Sequence, residues 1–185
     1  MANLMGIQMK NIKHFNGMEG YGLNSSIYLD GKRVGTYDDY GNGASGELNC
    51  DDRDTEKKVI DRIKEFYRKH PLIDSMKLFD VEFDKDNLPY TDIDKEDTWY
   101  LVDVFFSQLE LYSELEKDFK KQTKKYSNFA IIHFDFYGRG PRPRDDTFYI
   151  ANNQASIDKV QKKMDDVNTS NTYIYFSKLE DFNVA

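Results

Sequence analysis

The feature that most constrains the fold is an apolar series in the second half of the chain. Six bulky apolar residues recur three or four positions apart: Val102, Phe105, Leu109, Tyr112, Leu115 and Phe119. This spacing follows the turn of an α-helix and predicts an amphipathic helix of about five turns that buries one face. A run of lysines follows, which suits the negative end of a helix dipole. Residues 99–106 are also rich in aromatic residues and valine, so a strand is the alternative there.

Two further helices are predicted from the same period. The first begins at Asp54, the expected N-cap, and ends near His70 and Pro71, where His70 meets the helix dipole. Its apolar face consists of Val59, Ile60, Ile63, Phe66 and Tyr67. The second is shorter and is marked by Ile157, Val160 and Met164.

Strands are predicted wherever β-branched and aromatic residues alternate with polar ones or form short buried runs. The expected strands cover residues 7–15, 22–29, 32–37, 79–83, 129–137, 148–151 and 172–176. Asp30-Gly31 is a two-residue turn signal, so residues 22–37 are predicted to form a β-hairpin. An acidic loop is expected from residue 44 to Asp54. Residues 1–8 are expected to be a tail outside the fold, because Met1, Met5 and Met9 could each initiate translation.

These elements predict an α+β fold, with a mixed or antiparallel sheet and three helices packed on it. The expected organisation is a single domain over residues 1–185. A subdivision near residues 71–93 is possible, with a βββα module before it and a βαββαβ part after it. No apolar run is long enough for a membrane span, and the single cysteine, Cys50, excludes an internal disulfide. The chain is therefore expected in the reducing cytoplasm, with no membrane partner.

The net charge of −7 is spread evenly along the chain. Residues 1–92 carry 13 basic and 17 acidic groups, and residues 93–185 carry 13 and 16. A general nucleic-acid binder is usually basic, so this balance favours a protein partner, or nucleic acid held by a local patch. One cysteine and three histidines predict no structural zinc site, and no cofactor is expected. The oligomeric state is left open.

Two basic clusters stand out in this acidic chain, and both are candidate nucleic-acid contacts. One is a loop rich in glycine and proline that follows two aromatic residues, and the other is the lysine run after the long helix. Guanidinium and ammonium groups bind phosphates, and aromatic rings stack on bases. The predicted contacts are Arg139, Arg142, Arg144, Lys121, Lys124 and Lys125. The alternative is a hairpin loop whose arginines pair with Asp145 and Asp146.

His133, Asp135 and Tyr137 are the candidate catalytic residues, because alternate residues of a strand share one face. A histidine beside a carboxylate can transfer protons near neutral pH, and Arg139 could stabilise charge on a phosphorus centre, which would suit RNA cleavage. The alternative is a histidine with a purely structural role in the sheet. His14 and Glu19, on either side of a glycine-containing turn, form a second possible acid–base pair.

Residues 9–47 carry a resemblance to a known class of proteins. They combine a short strand, Glu19-Gly20, a strand that ends in Asp30-Gly31-Lys32, and a Gly41-Asn42-Gly43 turn. This arrangement resembles an N-terminal module of small phage and plasmid proteins from low-GC Gram-positive bacteria, some of which are anti-CRISPR proteins directed against type II systems. The resemblance implies a counter-defence protein that binds the effector, or binds or cleaves its guide RNA. The alternative is a non-catalytic phage or plasmid protein-interaction domain.

Overall fold

The structure is a computed structural model that describes residues 1–72, 90–125, 129–136, 147–151, 158 and 171–185. Strand residues 129, 132–136, 147–151 and 171–175 are described by their backbone alone. The chain has an α+β fold, as predicted. Its elements are β1 (Asn3–Leu4), β2 (Ile7–Asn16), β3 (Tyr21–Leu29), β4 (Lys32–Asp39), β5 (Glu47–Cys50), α1 (Arg53–Lys69), α2 (Thr98–Gln122), β6 (Phe129–Phe136), β7 (Thr147–Ala151), β8 (Asn171–Phe176), a 3-10 helix (Leu179–Phe182) and β9 (Asn183–Val184).

The chain divides into two compact units. Unit 1 consists of Met1–His70, Asp92–Ser113 and Asn183–Ala185, and unit 2 of Pro71–Thr91 and Glu114–Phe182. Within the described residues, no helix combines the length and the apolar character that crossing a lipid bilayer requires.

Unit 1 is built on a mixed six-stranded sheet in the order β5-β4-β3-β2-β1-β9. The predicted hairpin is confirmed: β3 and β4 are antiparallel and Leu29 pairs with Lys32 across the turn. Asp30 and Gly31 both have positive φ angles, 48° and 83°, which is the conformation that a two-residue turn of this hand requires.

The first residues of the chain belong to the core, so the expectation of a tail over residues 1–8 is wrong. The side chains of Ala2, Leu4 and Ile7 are completely buried. Strand β1 lies between β2 and β9, and its pairing with β9 is parallel. The amide of Met5 also donates a hydrogen bond of 2.7 Å to the Val184 carbonyl. These apolar residues are held in the core by β9, a strand that lies far from them in the sequence.

Helix α1 has the predicted apolar face, but it begins earlier than expected. Asp52, not Asp54, is the N-cap, and its carboxylate accepts hydrogen bonds from the Thr55 amide at 2.8 Å and the Thr55 hydroxyl at 2.9 Å. These bonds lower the pKa of Asp52.

Strand β5 occupies part of the expected acidic loop, because Leu48 pairs with Tyr37 of β4 and buries its side chain.

Helix α2 confirms the long apolar series as a helix, so the strand alternative for residues 99–106 is wrong. All six residues of the series are at most 6% exposed. The Asp97 carboxylate fixes the beginning of the helix by accepting hydrogen bonds from the amides of Trp99, at 2.7 Å, and Tyr100, at 3.1 Å. The N-cap and the regular, buried apolar series together favour the helix over the strand preference of the aromatic residues.

An aromatic cluster and one polar contact join α2 to the sheet of unit 1. The Tyr37 and Phe106 rings are stacked with centroids 4.4 Å apart. The Tyr37 hydroxyl donates a 2.6 Å hydrogen bond to Oδ1 of Asp103, and the Gly46 amide donates to the same oxygen at 3.0 Å. One carboxylate therefore links α2 to β4 and to the loop that precedes β5.

Unit 2 contains an antiparallel three-stranded sheet in the order β7-β6-β8. The three strands predicted at residues 129–137, 148–151 and 172–176 are confirmed, each within one residue of its expected bounds. Phe182 stacks on Phe176 with a centroid separation of 4.2 Å and meets Phe119 edge-on at 5.6 Å. The strand expected at residues 79–83 lies outside the described residues. The described residues contain two α-helices, and the third expected helix falls almost entirely outside them.

Candidate nucleic-acid interface

Lys117, Lys121, Lys124 and Lys125, here called the lysine stripe, lie at the end of α2 and in the turn that follows it. All four side chains are exposed. Because each helical residue advances about 100° around the axis, Lys117 and Lys121 lie about 40° apart on α2, and Lys124 follows in the turn after the helix. Leu115 and Phe119, which are buried, occupy the opposite side of the helix. Burial of one face of α2 thus exposes the lysines on the other.

The segment that carries the lysine stripe is basic, whereas the chain as a whole is acidic. Residues 117–125 contain five lysines and a single acidic residue, Asp118. Lys120 is engaged in a 2.7 Å salt bridge with Glu116 one turn earlier. Within the part of the chain that the structure describes, none of the four stripe lysines forms a salt bridge. Their ammonium groups are therefore available to an external anion.

The backbone beneath the lysine stripe is ordered by hydrogen bonds that extend past the last helical residue. The Thr123 amide donates to the Phe119 carbonyl at 2.9 Å, and the Lys125 amide donates to the Gln122 carbonyl at 2.8 Å. The Thr123 hydroxyl donates to the Lys120 carbonyl at 3.2 Å. These contacts satisfy carbonyls that would otherwise lack partners at the helix end. The lysines thus project from a defined scaffold.

Of the nucleic-acid contacts predicted from sequence, Lys121, Lys124 and Lys125 are described and exposed, whereas Arg139, Arg142 and Arg144 lie outside the described residues. Lys117 was missed. The signal that identifies it is the four-residue interval to Lys121, which places both on the same side of a helix.

Two of the three predicted catalytic residues, His133 and Asp135, lie on the central strand of the unit 2 sheet. In β6, His133 pairs with Thr147 of β7 and with Ile174 of β8, and Asp135 pairs with Thr172. The positions are two residues apart on one strand, as expected. Tyr137 lies outside the described residues. Whether these residues perform acid–base chemistry stays a prediction.

His14 is placed against a carboxylate that sequence reasoning did not identify. Its Nε2 atom lies 2.5 Å from Oε1 of Glu110, so the imidazole of β2 is hydrogen-bonded to α2. Both groups are partly exposed, at 43% and 24%. The expected partner was Glu19, only five residues away, whereas Glu110 is 96 positions distant. No local pattern signals such a contact.

Comparison of the chain with protein-family models, with curated proteins and with solved structures gives no match. Because fold alone does not define an activity, what these surfaces can bind follows from the chemistry of their described residues. The lysine stripe is an exposed cationic surface at the end of a helix in an otherwise acidic chain.

Proposed function

We propose that this protein is a counter-defence protein of a mobile element, and that it disables a type II CRISPR effector in the bacterial cytoplasm by binding the effector's guide RNA. The observation that supports RNA binding is the lysine stripe, four exposed lysines at an ordered helix end that form no salt bridge within the described part of the chain. The choice of target is supported by the resemblance of residues 9–47 to an N-terminal module of phage and plasmid proteins, some of which are anti-CRISPR proteins.

Binding is favoured over cleavage by the chemistry of the described residues. Lysine ammonium groups act on phosphates as point charges, and they fix a nucleic acid in place without altering it. Such contacts do not read base sequence, which suits a guide RNA whose variable part differs from one complex to the next. Cleavage through His133, Asp135 and Tyr137 remains the second mechanism of the proposal and is tested separately below.

The test for binding compares two triple variants of equal charge. The stripe variant is Lys117→Ala/Lys121→Ala/Lys124→Ala, and the control is Lys13→Ala/Lys32→Ala/Lys58→Ala, which removes three lysines that are also exposed. Both are titrated against guide RNA at several salt concentrations. Each lost phosphate contact on a single strand lowers the slope of log affinity against log salt by about 0.7.

The stripe variant is expected to bind more weakly and to show a slope smaller by about 2, whereas the control should keep the slope of the unmodified protein. Equal slopes for all three proteins would refute RNA binding through the stripe. A further variant, Arg139→Ala/Arg142→Ala/Arg144→Ala, reports whether the predicted arginine loop contributes.

The test for cleavage is incubation of guide RNA with the protein on a gel, with and without a divalent metal. If the protein shortens the RNA and a folded His133→Ala variant does not, this would support acid–base chemistry at β6. Intact RNA together with lost DNA cleavage by the effector would support the stoichiometric binder. Intact RNA and an unaffected effector would contradict the proposed function and favour an interaction domain with another target.

A further inference from the structure

Two loops of unit 1 meet to form one surface at the end of the six-stranded sheet. The turn between β2 and β3 is closed by a 2.7 Å hydrogen bond from the Gly17 amide to the Gly20 carbonyl. The Glu19 amide donates at 2.8 Å to the carbonyl of Gly41, which belongs to the loop between β4 and β5. Gly41 has a φ of 59° and lies so close to the backbone of Gly20 and Gly22 that a side chain there would clash. The two loops are thus held together.

This surface exposes three large apolar side chains, Met18, Tyr21 and Tyr40, here called the aromatic tip. Their exposed fractions are 95%, 81% and 47%. Neighbouring exposed apolar side chains mark interaction sites more often than single ones do. Because the loops beneath are fixed by hydrogen bonds, little conformational entropy would be lost when a partner covers the tip.

The rim of the aromatic tip is acidic. Asp38, Asp39 and Glu47 lie at the strand ends on either side of the loop that carries Tyr40, and residues 34–52 contain no lysine or arginine. Among the described residues, none of these carboxylates forms a salt bridge. The negative charge of Glu47 and, to a smaller extent, burial and the charge of Asp38 raise the pKa of the Tyr40 phenol. The tyrosine and the carboxylates therefore share one electrostatic environment.

Two of these carboxylates are arranged at a cost to the fold. Asp38 and Glu47 are direct partners in the antiparallel pairing of β4 and β5. Like charges directly opposite each other across two strands destabilise a sheet. The Asp38 carboxylate is nonetheless held in position by hydrogen bonds from the side-chain amide of Asn24 at 2.6 Å and the Thr36 hydroxyl at 2.9 Å. The pair keeps its negative charge concentrated beside Tyr40.

We propose that the aromatic tip and its acidic rim form a docking surface for a protein partner that presents arginine side chains. Guanidinium groups stack on tyrosine rings and form paired hydrogen bonds with carboxylates, so one residue type satisfies both parts of the surface. A nucleic acid is disfavoured because its phosphates would face the carboxylates. A second copy of the chain is disfavoured because a two-fold interface would place two acidic rims against each other. The docking surface consists of other residues than the lysine stripe and does not depend on RNA binding.

The test uses a fluorescent oligo-arginine peptide as the probe and an oligo-citrulline peptide, which has the same shape without the charge, as the negative control. The Asp38→Asn/Glu47→Gln variant is expected to bind oligo-arginine about tenfold more weakly, since two charge-assisted contacts are lost. Its matched control, Asp61→Asn/Glu180→Gln, removes two exposed carboxylates elsewhere and should bind as the unmodified protein does. Tyr21→Ala/Tyr40→Ala should bind about fivefold or more weakly, whereas Tyr90→Ala/Trp99→Ala, which removes two other exposed rings, should not.

Hydrogen exchange gives a readout of location that does not depend on substitutions. Bound oligo-arginine is expected to protect amides in residues 17–22 and 38–47. The proposal is overturned if oligo-arginine does not bind, if the two control variants lose as much affinity as the tip variants, or if protection appears elsewhere. Guide-RNA binding by the tip variants, and oligo-arginine binding by the lysine-stripe variant, should both be unchanged, so failure of either proposal leaves the other intact.

Discussion

Alkaline pH is expected to destabilise this protein through Tyr37. Burial of the ring, followed by the hydrogen bond to Asp103 and its charge, raises the pKa of the Tyr37 phenol. In the unfolded chain the same phenol titrates near pH 10, the usual value for tyrosine. Above that pH the unfolded state loses a proton that the native state keeps. The native state therefore binds more protons, and the free energy of unfolding must fall as the pH rises.

The size of the effect follows from proton linkage. One retained proton lowers the free energy of unfolding by about 1.4 kcal/mol for each pH unit above 10, or about 2.7 kcal/mol by pH 12. Tyr37→Phe removes the proton, so the variant should lack this contribution at every pH. At pH 7 the variant itself should be less stable by about 1–3 kcal/mol, because the Asp103 carboxylate loses a buried donor.

The assay is urea unfolding of both proteins at a series of pH values between 8 and 12. The unmodified protein should lose stability more steeply than Tyr37→Phe, so that their difference in unfolding free energy closes as the pH rises. Ultraviolet absorbance of the native protein counts the tyrosines that have ionised at each pH. The tyrosines that remain protonated are then known by difference. Parallel stability curves, together with a Tyr37 that ionises like an exposed phenol, would refute the reasoning.

Three further predictions concern unfolding transitions measured with urea or heat. Glu47→Lys should stabilise the protein by about 0.5–1 kcal/mol, because it replaces a like-charge pair with Asp38 by an opposite one; a lower midpoint would contradict this. Gly31→Val should destabilise it by roughly 1–3 kcal/mol through the positive φ alone, since the space around Gly31 is open, and Gly31→Asn should lose less. Phe119→Ala, at a side chain only 3% exposed, should cost about 3–5 kcal/mol, and an unchanged midpoint would show that the ring does not support the core.

The parts of the fold that could be predicted are those whose cause is local. The Asp30-Gly31 turn could be identified because two consecutive positive φ angles suit few residue pairs, and α2 because its apolar series keeps one period over five turns. The N-cap of α1 was placed two residues late, since Asp52 and Asp54 have the same chemistry. The bond to Thr55 selects between them, and only the backbone conformation shows it.

The parts that could not be predicted depend on partners far away in sequence. Strand β5 is four residues long in an acidic segment and is defined by its pairing with β4. The aromatic tip was missed because its two rings, at the start of β3 and just after β4, are about 20 positions apart, and a sequence does not show which tyrosines remain exposed. The lysine stripe could be predicted only in part. The basic run is visible in the sequence, but the side of α2 on which it lies follows only from the position of the helix in the fold.

The parallel pairing of β1 with β9 has a consequence for how the chain is made. Residues 3–4 are synthesised well before their partners at residues 183–184, which are added only after the whole of unit 2. Until then, one side of β1 has unsatisfied amides and carbonyls in a nascent chain, which is a template for pairing with other chains. Yield in expression should therefore depend on residues 183–184 more strongly than their small contribution to the core suggests.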